Sequence, residues 1–330
     1  MTLIYIISLI ATFISTAFIL KFLIPILKSK KMGQKILDIG PRWHKSKEGT
    51  PTMGGLSFLV ALTIVLTIIY TILFINGDKA GLGFAVISLS FAVMNALIGM
   101  IDDRTKFAKN KNEGLLSWQK YLLQLIATAI FLGLGAYFGY ISTVLYIPFV
   151  KSTLDLGVFY YAFAAILITG IVNSVNLADG IDGLAATETA VVAAFYSAVA
   201  FTLNILPLSA MAGATLGACL GFLVYNFYPA RVFMGDTGSL FLGGLVVSMA
   251  FMAGNPLIIV ICGFMYVSEA LSDIIQVLYF KLTHGKRFFK MAPIHHHFEK
   301  CGWSEIKVVT VFSAVTLILC AISFIFDIIR

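Results

Sequence analysis

Runs of about 20 apolar residues recur along almost the whole chain, and no other feature restricts the fold as tightly. A helix rising 1.5 Å per residue needs roughly that many residues to cross a bilayer core of about 30 Å. Ten such stretches are read, near 3–27, 54–75, 81–100, 118–140, 158–176, 184–203, 208–226, 239–254, 256–282 and 306–328. A membrane β-barrel would alternate apolar and polar residues, which Ile64–Tyr70 and Val308–Ile322 do not. Only 12% of the residues are charged, about half the roughly 25% of soluble domains. The expectation is an all-α, polytopic membrane protein of about ten helices, with residues 1–330 forming a single membrane domain. The first stretch has no basic start and no small-residue cleavage site, so it is read as a retained helix rather than a signal peptide.

The cations decide the orientation. Loops 28–53, 101–117, 227–238 and 283–305, with the adjoining helix ends, hold nineteen of the 23 Lys and Arg residues. Basic loops stay in the cytoplasm, so both termini are expected on the extracytoplasmic side. This bias also accounts for most of the net charge of +7, and no basic patch interleaved with aromatics points to nucleic acid. Four cysteines show no paired spacing, and three of them lie inside apolar runs. The longest outer loop, 141–157, carries Pro148 and alternating apolar residues and is expected to form a small hairpin.

The cytoplasmic loops hold the unusual polar residues. Asp102 and Asp103 end an apolar run and are followed by Arg104 and Lys106. Two adjacent carboxylates repel, and a divalent cation or a phosphate proton relieves that repulsion; ordinary helix-end ion pairs are the alternative. Gly49-Thr50-Pro51-Thr52-Met53-Gly54-Gly55 enters a helix, where backbone amides and hydroxyls suit a phosphate. Asn173 to Leu184 contains two asparagines and two aspartates, Asp179 and Asp182, with no Lys or Arg. Asn173 and Asn176 share a helix face, while the twelve-residue calcium-loop spacing is absent. Asp236 sits between Gly235 and Thr237-Gly238-Ser239, as a helix cap or as an oxygen ligand to magnesium. Phe233 offers a ring to a nucleobase or to the core. In Pro293-Ile294-His295-His296-His297-Phe298-Glu299 adjacent side chains diverge and no further Cys or His cluster completes a zinc site. Imidazoles near diphosphate oxygens fit better. Glu269 and Asp273 share a face pointing into the protein or a water-filled cavity.

Together these stretches resemble the polyprenyl-phosphate N-acetylhexosamine-1-phosphate transferases across essentially the whole chain. The Gly-Thr-Pro-Thr-Met-Gly-Gly and Pro-Ile-His-His-His-Phe-Glu runs are similar to the muramoyl-pentapeptide branch rather than the N-acetylglucosamine one. The resemblance implies attack of undecaprenyl phosphate on UDP-N-acetylmuramoyl-pentapeptide (UDP-MurNAc-pentapeptide), giving UMP and the lipid-linked diphosphate lipid I. It implies Mg2+ as cofactor, a cytoplasmic active site in a bacterial plasma membrane, a membrane-lipid substrate and, as one assembly, a homodimer. By the same resemblance Asp236 is the magnesium ligand, with Asn173 a weaker candidate. Asp102, supported by Asp103, deprotonates or orients the lipid phosphate, and Lys106 faces phosphate. Lys45, Asp182 and Phe233 form the nucleobase pocket; Thr50, Asn176, Asp179 and Gly235 line the sugar-phosphate region. His295, His296 and His297 lie near the diphosphate and the peptide, and Gln276 lies further along.

Two other functions are weighed. UDP-N-acetylglucosamine as donor keeps the chemistry and changes the sugar. An ion-coupled transporter is suggested by Glu188, Glu269 and Asp273 within apolar segments, and it would place its essential charges near the bilayer midplane. Most acidic residues instead sit at helix ends on one side, and no internal repeat of the transporter kind is visible.

Overall fold

The computed structural model describes residues 1–30, 47–108 and 114–328. Helices α1 (Thr2–Ser29), α2 (Gly55–Ile75), α3 (Leu82–Ala108) and α4 (Ser117–Tyr137) lead into a hairpin of β1 (Val144–Ile147) and β2 (Ser152–Asp155). There follow α5 (Phe159–Ala178), α6 (Leu184–Leu203), α7 (Leu206–Asn226), α8 (Gly235–Met252), α9 (Ile258–Cys262), α10 (Phe264–Leu282), α11 (Ile294–Lys300) and α12 (Glu305–Ser323). Among the described residues nine helices are long and apolar enough to cross a membrane, and the chain is a polytopic membrane protein.

The tenth expected stretch, 256–282, is not one continuous apolar helix. Gly263 separates α9 from α10, and α10 carries Glu269, Asp273 and Lys281. A return crossing there is still required. The chain leaves the site end of the bundle along α8, and His295 is back beside that end. The expected hairpin forms, with antiparallel register from Val144↔Asp155 to Ile147↔Ser152.

Burial separates the lipid-facing helices from the central ones. Ile6, Ile10, Ile14, Phe18 and Phe22 of α1 are exposed, a row that only lipid can cover at low cost. In α8, by contrast, every residue from Thr237 to Met252 is buried. Small residues let its neighbours approach, as membrane helices without a hydrophobic drive between them require. Gly244 lies on Ala92 of α3 and Gly243 on Val172 of α5, while Gly99 of α3 lies on the Asp236 carbonyl. Gly213, Gly217 and Gly221 of α7 likewise meet the main chain of α1. The central position of α8 brings its first turn, with Asp236, among the ends of α2, α3 and α5.

Candidate active site

Asp236 occupies the first turn of α8, two residues after an N-cap, Met234, that offers no side-chain acceptor. The free amides of that turn are capped by α3. Asp103 accepts from the Asp236 N–H (3.1 Å), the Thr237 N–H (2.9 Å) and the Thr237 hydroxyl (2.7 Å). A buried carboxylate at a helix N-terminus satisfies the unpaired donors and meets the positive end of the helix dipole. Asp103, expected to support phosphate chemistry, therefore joins α3 to α8.

Asp102, one residue earlier, is held from the segment before α4. The Leu115 N–H donates to its Oδ1 at 2.7 Å, and Lys106, one helical turn away, lies 2.8 Å from Oδ2. Lys106 Nζ also reaches Asp236 Oδ2 at 3.0 Å and Asp103 at 3.9 Å. From α4, Lys120 reaches the same Asp236 oxygen at 2.9 Å and Asn176 at 3.2 Å. Asn176 donates to Asp236 Oδ1 at 3.0 Å and to Ser239 at 2.6 Å. Acidic oxygens of Asp102, Asp103 and Asp236 lie within 4.8 Å of one another. Three carboxylates against two ammonium groups leave a formal deficit of positive charge, and oxygen donors suit a hard divalent cation. The residues present thus fit a metal ion, held chiefly by Asp236 and Asp102.

A cavity of about 680 Å³ opens beside this cluster, lined by both lysines, Gln124, Asn173 and the apolar Leu115, Leu116 and Tyr121. Asn173 faces it but is engaged elsewhere. It exchanges two hydrogen bonds with Gln124 (2.8 and 3.2 Å) and donates to the Thr169 carbonyl. It sits one helical turn beyond Asn176, outside the carboxylate group, so the geometry lends it no ligand role.

The structure redistributes several other expected site residues. The Gly54 and Gly55 amides, expected to be open to phosphate, donate to the Phe233 and Met234 carbonyls at 2.8 and 3.0 Å. A Cβ on Gly55 would lie 2.3 Å from the Gly238 Cα, so these glycines seat α2 on the start of α8. The Phe233 N–H is likewise tied to the Pro51 carbonyl at 2.8 Å, and the half-buried ring is held beside the turn. Gly235, in the left-handed region at φ +69°, lies over Asp103 and Thr52, while Thr50 is half-buried in the same turn.

Asp182, expected at the nucleobase, is buried in a clasp. Lys47 bridges Asp182 Oδ1 (2.7 Å) and Glu305 (2.6 Å), and the Ala230 N–H donates to Asp182 Oδ2 at 2.9 Å. With 1% of its side chain exposed, Asp182 ties four segments together and presents neither oxygen to open space. Asp179 is half-buried at the end of α5. Burial, followed by the negative charges of Asp236, Asp103 and Asp182, pushes its carboxyl well above the usual range.

The three histidines take different partners, although the His295 and His296 rings lie 4.1 Å apart. His295 is buried, with Nδ1 3.0 Å from Glu269 and Nε2 against Gly180. His296 Nδ1 lies 2.6 Å from Glu299, and His297 Nδ1 accepts from the Lys290 N–H at 3.1 Å. Gln276 accepts from the Phe289 N–H at 2.9 Å and braces the segment before α11. Lys45 lies outside the described residues.

Lys47, Lys120, Gln124 and Glu305 were not singled out from sequence. The first two read as ordinary positive-inside cations, and only the i, i+4 spacing of Lys120 and Gln124 hinted at one inward face.

Comparison with known proteins identifies the family. Residues 84–254 match the family described as glycosyl transferase family 4. Residues 47–59 match the phospho-N-acetylmuramoyl-pentapeptide-transferase signature 1. The chain is 49% identical to the phospho-N-acetylmuramoyl-pentapeptide-transferase of Clostridium acetobutylicum over 304 residues, 91% of this chain and 92% of the relative. It is 47% identical to that of Clostridium kluyveri (92% of each) and 45% identical to that of Clostridium perfringens strain 13 (96% of each). Similarity at this level over more than nine-tenths of the chain places it in the phospho-N-acetylmuramoyl-pentapeptide transferase family.

Proposed function

We propose that the chain acts as a single membrane domain of the bacterial plasma membrane, transferring phospho-N-acetylmuramoyl-pentapeptide from its UDP-linked donor to undecaprenyl phosphate. The products are lipid I and UMP. The observation that carries this reading is the convergence of Asp102, Asp103, Asp236, Lys106 and Lys120 beside a cavity with one apolar wall. Phosphoryl transfer depends on positioning and on spreading charge rather than on elaborate covalent chemistry. A phosphate at the end of a long lipid can be presented only at the membrane face, where this cavity lies.

Lys106 and Lys120 are each within 3.0 Å of one Asp236 oxygen. They neutralise the carboxylates before substrate arrives and can turn to phosphate oxygens once it does. Asp102, held by the Leu115 amide and Lys106, is placed to orient the lipid phosphate or take its proton. Asn176 holds Asp236 in place from α5. A Mg2+ held by Asp236 and Asp102 would supply Lewis-acid stabilisation of the diphosphate and of UMP as it leaves. The order of bond making, attack by lipid phosphate on the donor phosphorus with departure of UMP, balances without a further reactant.

The test is UMP release by purified protein with both substrates and Mg2+. Asp236→Ala and Asp102→Asn are expected to lose on the order of 10³-fold in turnover, equivalent to several kcal/mol of transition-state stabilisation. Wild-type-like turnover by Asp236→Ala refutes the metal assignment. Preference for UDP-N-acetylglucosamine in the same assay refutes the donor.

A further inference from the structure

Across the Asp179–Gly183 turn from the acidic cluster lies a second group of titratable side chains that the chemistry above does not use. Glu269 of α10 is 0% exposed, and His295 and Glu188 are each 1% exposed. Glu269 Oε2 takes the Nδ1 of His295 at 3.0 Å and the His295 N–H at 3.4 Å, gripping ring and main chain together. His295 Nε2, Glu269 Oε1 and both oxygens of Glu188 have no hydrogen-bond partner among the described residues. Glu188 lies near enough for the charge of Glu269 to act on it, and Asp273 adds a further carboxylate on α10.

The geometry restricts the ring. An ionised carboxylate only accepts hydrogen bonds, so Nδ1 carries the proton of the neutral imidazole and Nε2 is left as an acceptor. That acceptor does not point at random. A Cβ built on Gly180 would lie 2.2 Å from Nε2 and 2.5 Å from Cε1, so the ring edge rests where a side chain at this position would stand. Gly180 adjoins Asp179, on which the charges of Asp236 and Asp103 act. An unpaired buried acceptor carries a desolvation cost, and its retention beside the reaction site points to use there.

We propose that Glu269 is a positioning residue that fixes both the orientation and the tautomer of His295, so that Nε2 serves as an acceptor at the turn that follows Asp179. The inference rests on the phosphoryl-transfer reading above. It assigns no substrate contact to Glu269, which acts through the ring alone.

Two readouts test it. The first is a double-mutant cycle of Glu269→Gln and His295→Gln, scored by UMP release at saturating substrates. A glutamine can present either its carbonyl or its amide to Nδ1, so it no longer imposes a tautomer. Each single variant is expected to lower kcat about 10- to 100-fold, the range for removal of an orienting partner behind a functional histidine. KM for the nucleotide donor should change little, and the double variant should be no slower than His295→Gln alone. Losses that multiply would overturn the proposal, because Glu269 would then act independently of the ring.

The second readout is the ¹⁵N spectrum of histidine-labelled wild-type protein, with the His295 signals identified by their absence in His295→Gln. A protonated Nδ1 with an unprotonated Nε2 is expected, and a proton on Nε2 with none on Nδ1 would overturn the proposal. This measurement decides alone if Glu269→Gln does not purify folded. It also separates the two readings, since a wild-type protein that makes no lipid-linked product refutes the function while leaving the tautomer to be read directly.

Discussion

Replacing Gly99 with alanine tests whether the acidic cluster depends on how closely α3 lies against α8. A Cβ built on Gly99 falls 2.1 Å from the Asp236 carbonyl oxygen and 2.6 Å from the Thr237 nitrogen. Real Cβ atoms essentially never approach within 3.0 Å of such a neighbour, so the helices must part by at least 3.0 − 2.1 = 0.9 Å here. The obstacle is main chain in a helix start and cannot rotate away as a side chain would. The three bonds from the start of α8 to Asp103 now measure 2.7 to 3.1 Å. Lengthened by the same 0.9 Å they become 3.6 to 4.0 Å, outside hydrogen-bonding range. Asp236 would also move away from Asp102 and Lys106. A displacement of about 1 Å in a site that works by positioning costs on the order of 10²-fold in rate. Gly99→Ala is therefore expected to lose about 10²-fold in UMP release while its helical circular dichroism is retained. Gly133→Ala, where a Cβ meets nothing within 4 Å, should keep full activity. If Gly99→Ala turned over within about threefold of wild type, the claim that close α3–α8 contact sets the cluster would be wrong.

Four further outcomes follow from the same geometry. Lys47→Met leaves buried Asp182 without its cation and should lower stability by up to roughly 3–5 kcal/mol, read as thermal unfolding in detergent. Unchanged unfolding with a raised KM for the nucleotide donor would return Asp182 to the nucleobase. Asn173→Ala should keep the divalent-cation dependence of turnover, whereas Asp236→Asn should lose it; the reverse pattern would exchange their roles. Gly180→Ala drives a Cβ against the His295 ring and should reduce turnover as His295→Ala does, and full activity would show that the ring is not fixed there. Burial and neighbouring negative charge push the Asp179 carboxyl well above the ordinary carboxylate range. A raised folded-state pKa contributes stability that is complete below the unfolded pKa, near 3.9, and is lost as pH rises toward the folded value. Asp179→Asn should thus raise the unfolding temperature at pH 8 more than at pH 4, and an equal shift at both would contradict the assignment.

The membrane class, the polarity of the loops and the hairpin at 141–157 were legible because each rests on local sequence. Apolar run length, cation bias and strand alternation need no partner to be seen. The five polar loops were legible as well, since aspartates, asparagines and histidines bordering apolar helices have few structural uses. The assignment of single residues within them was less secure. Asp102 and Asp103 look alike in sequence, yet one faces the cavity with Lys106 and the other caps α8. Asp179 and Asp182 belong to the same short turn, yet one faces the charge of Asp236 and the other is closed into a clasp with Lys47 and Glu305.

The sequence by itself determined that this chain lies in a membrane and that its chemistry belongs to one face, because burying polar groups in lipid is costly whatever the tertiary contacts. Only the tertiary structure decided which oxygen meets which donor. Adjacent residues on a helix project about 100° apart, so neighbours in sequence face different helices. Hydrogen bonds and ion pairs act only over a few ångströms. Lys120, Asn176, Asp103 and Asp236, drawn from four helices, therefore become one site only when Gly99 and Gly55 let α3 and α2 close on α8.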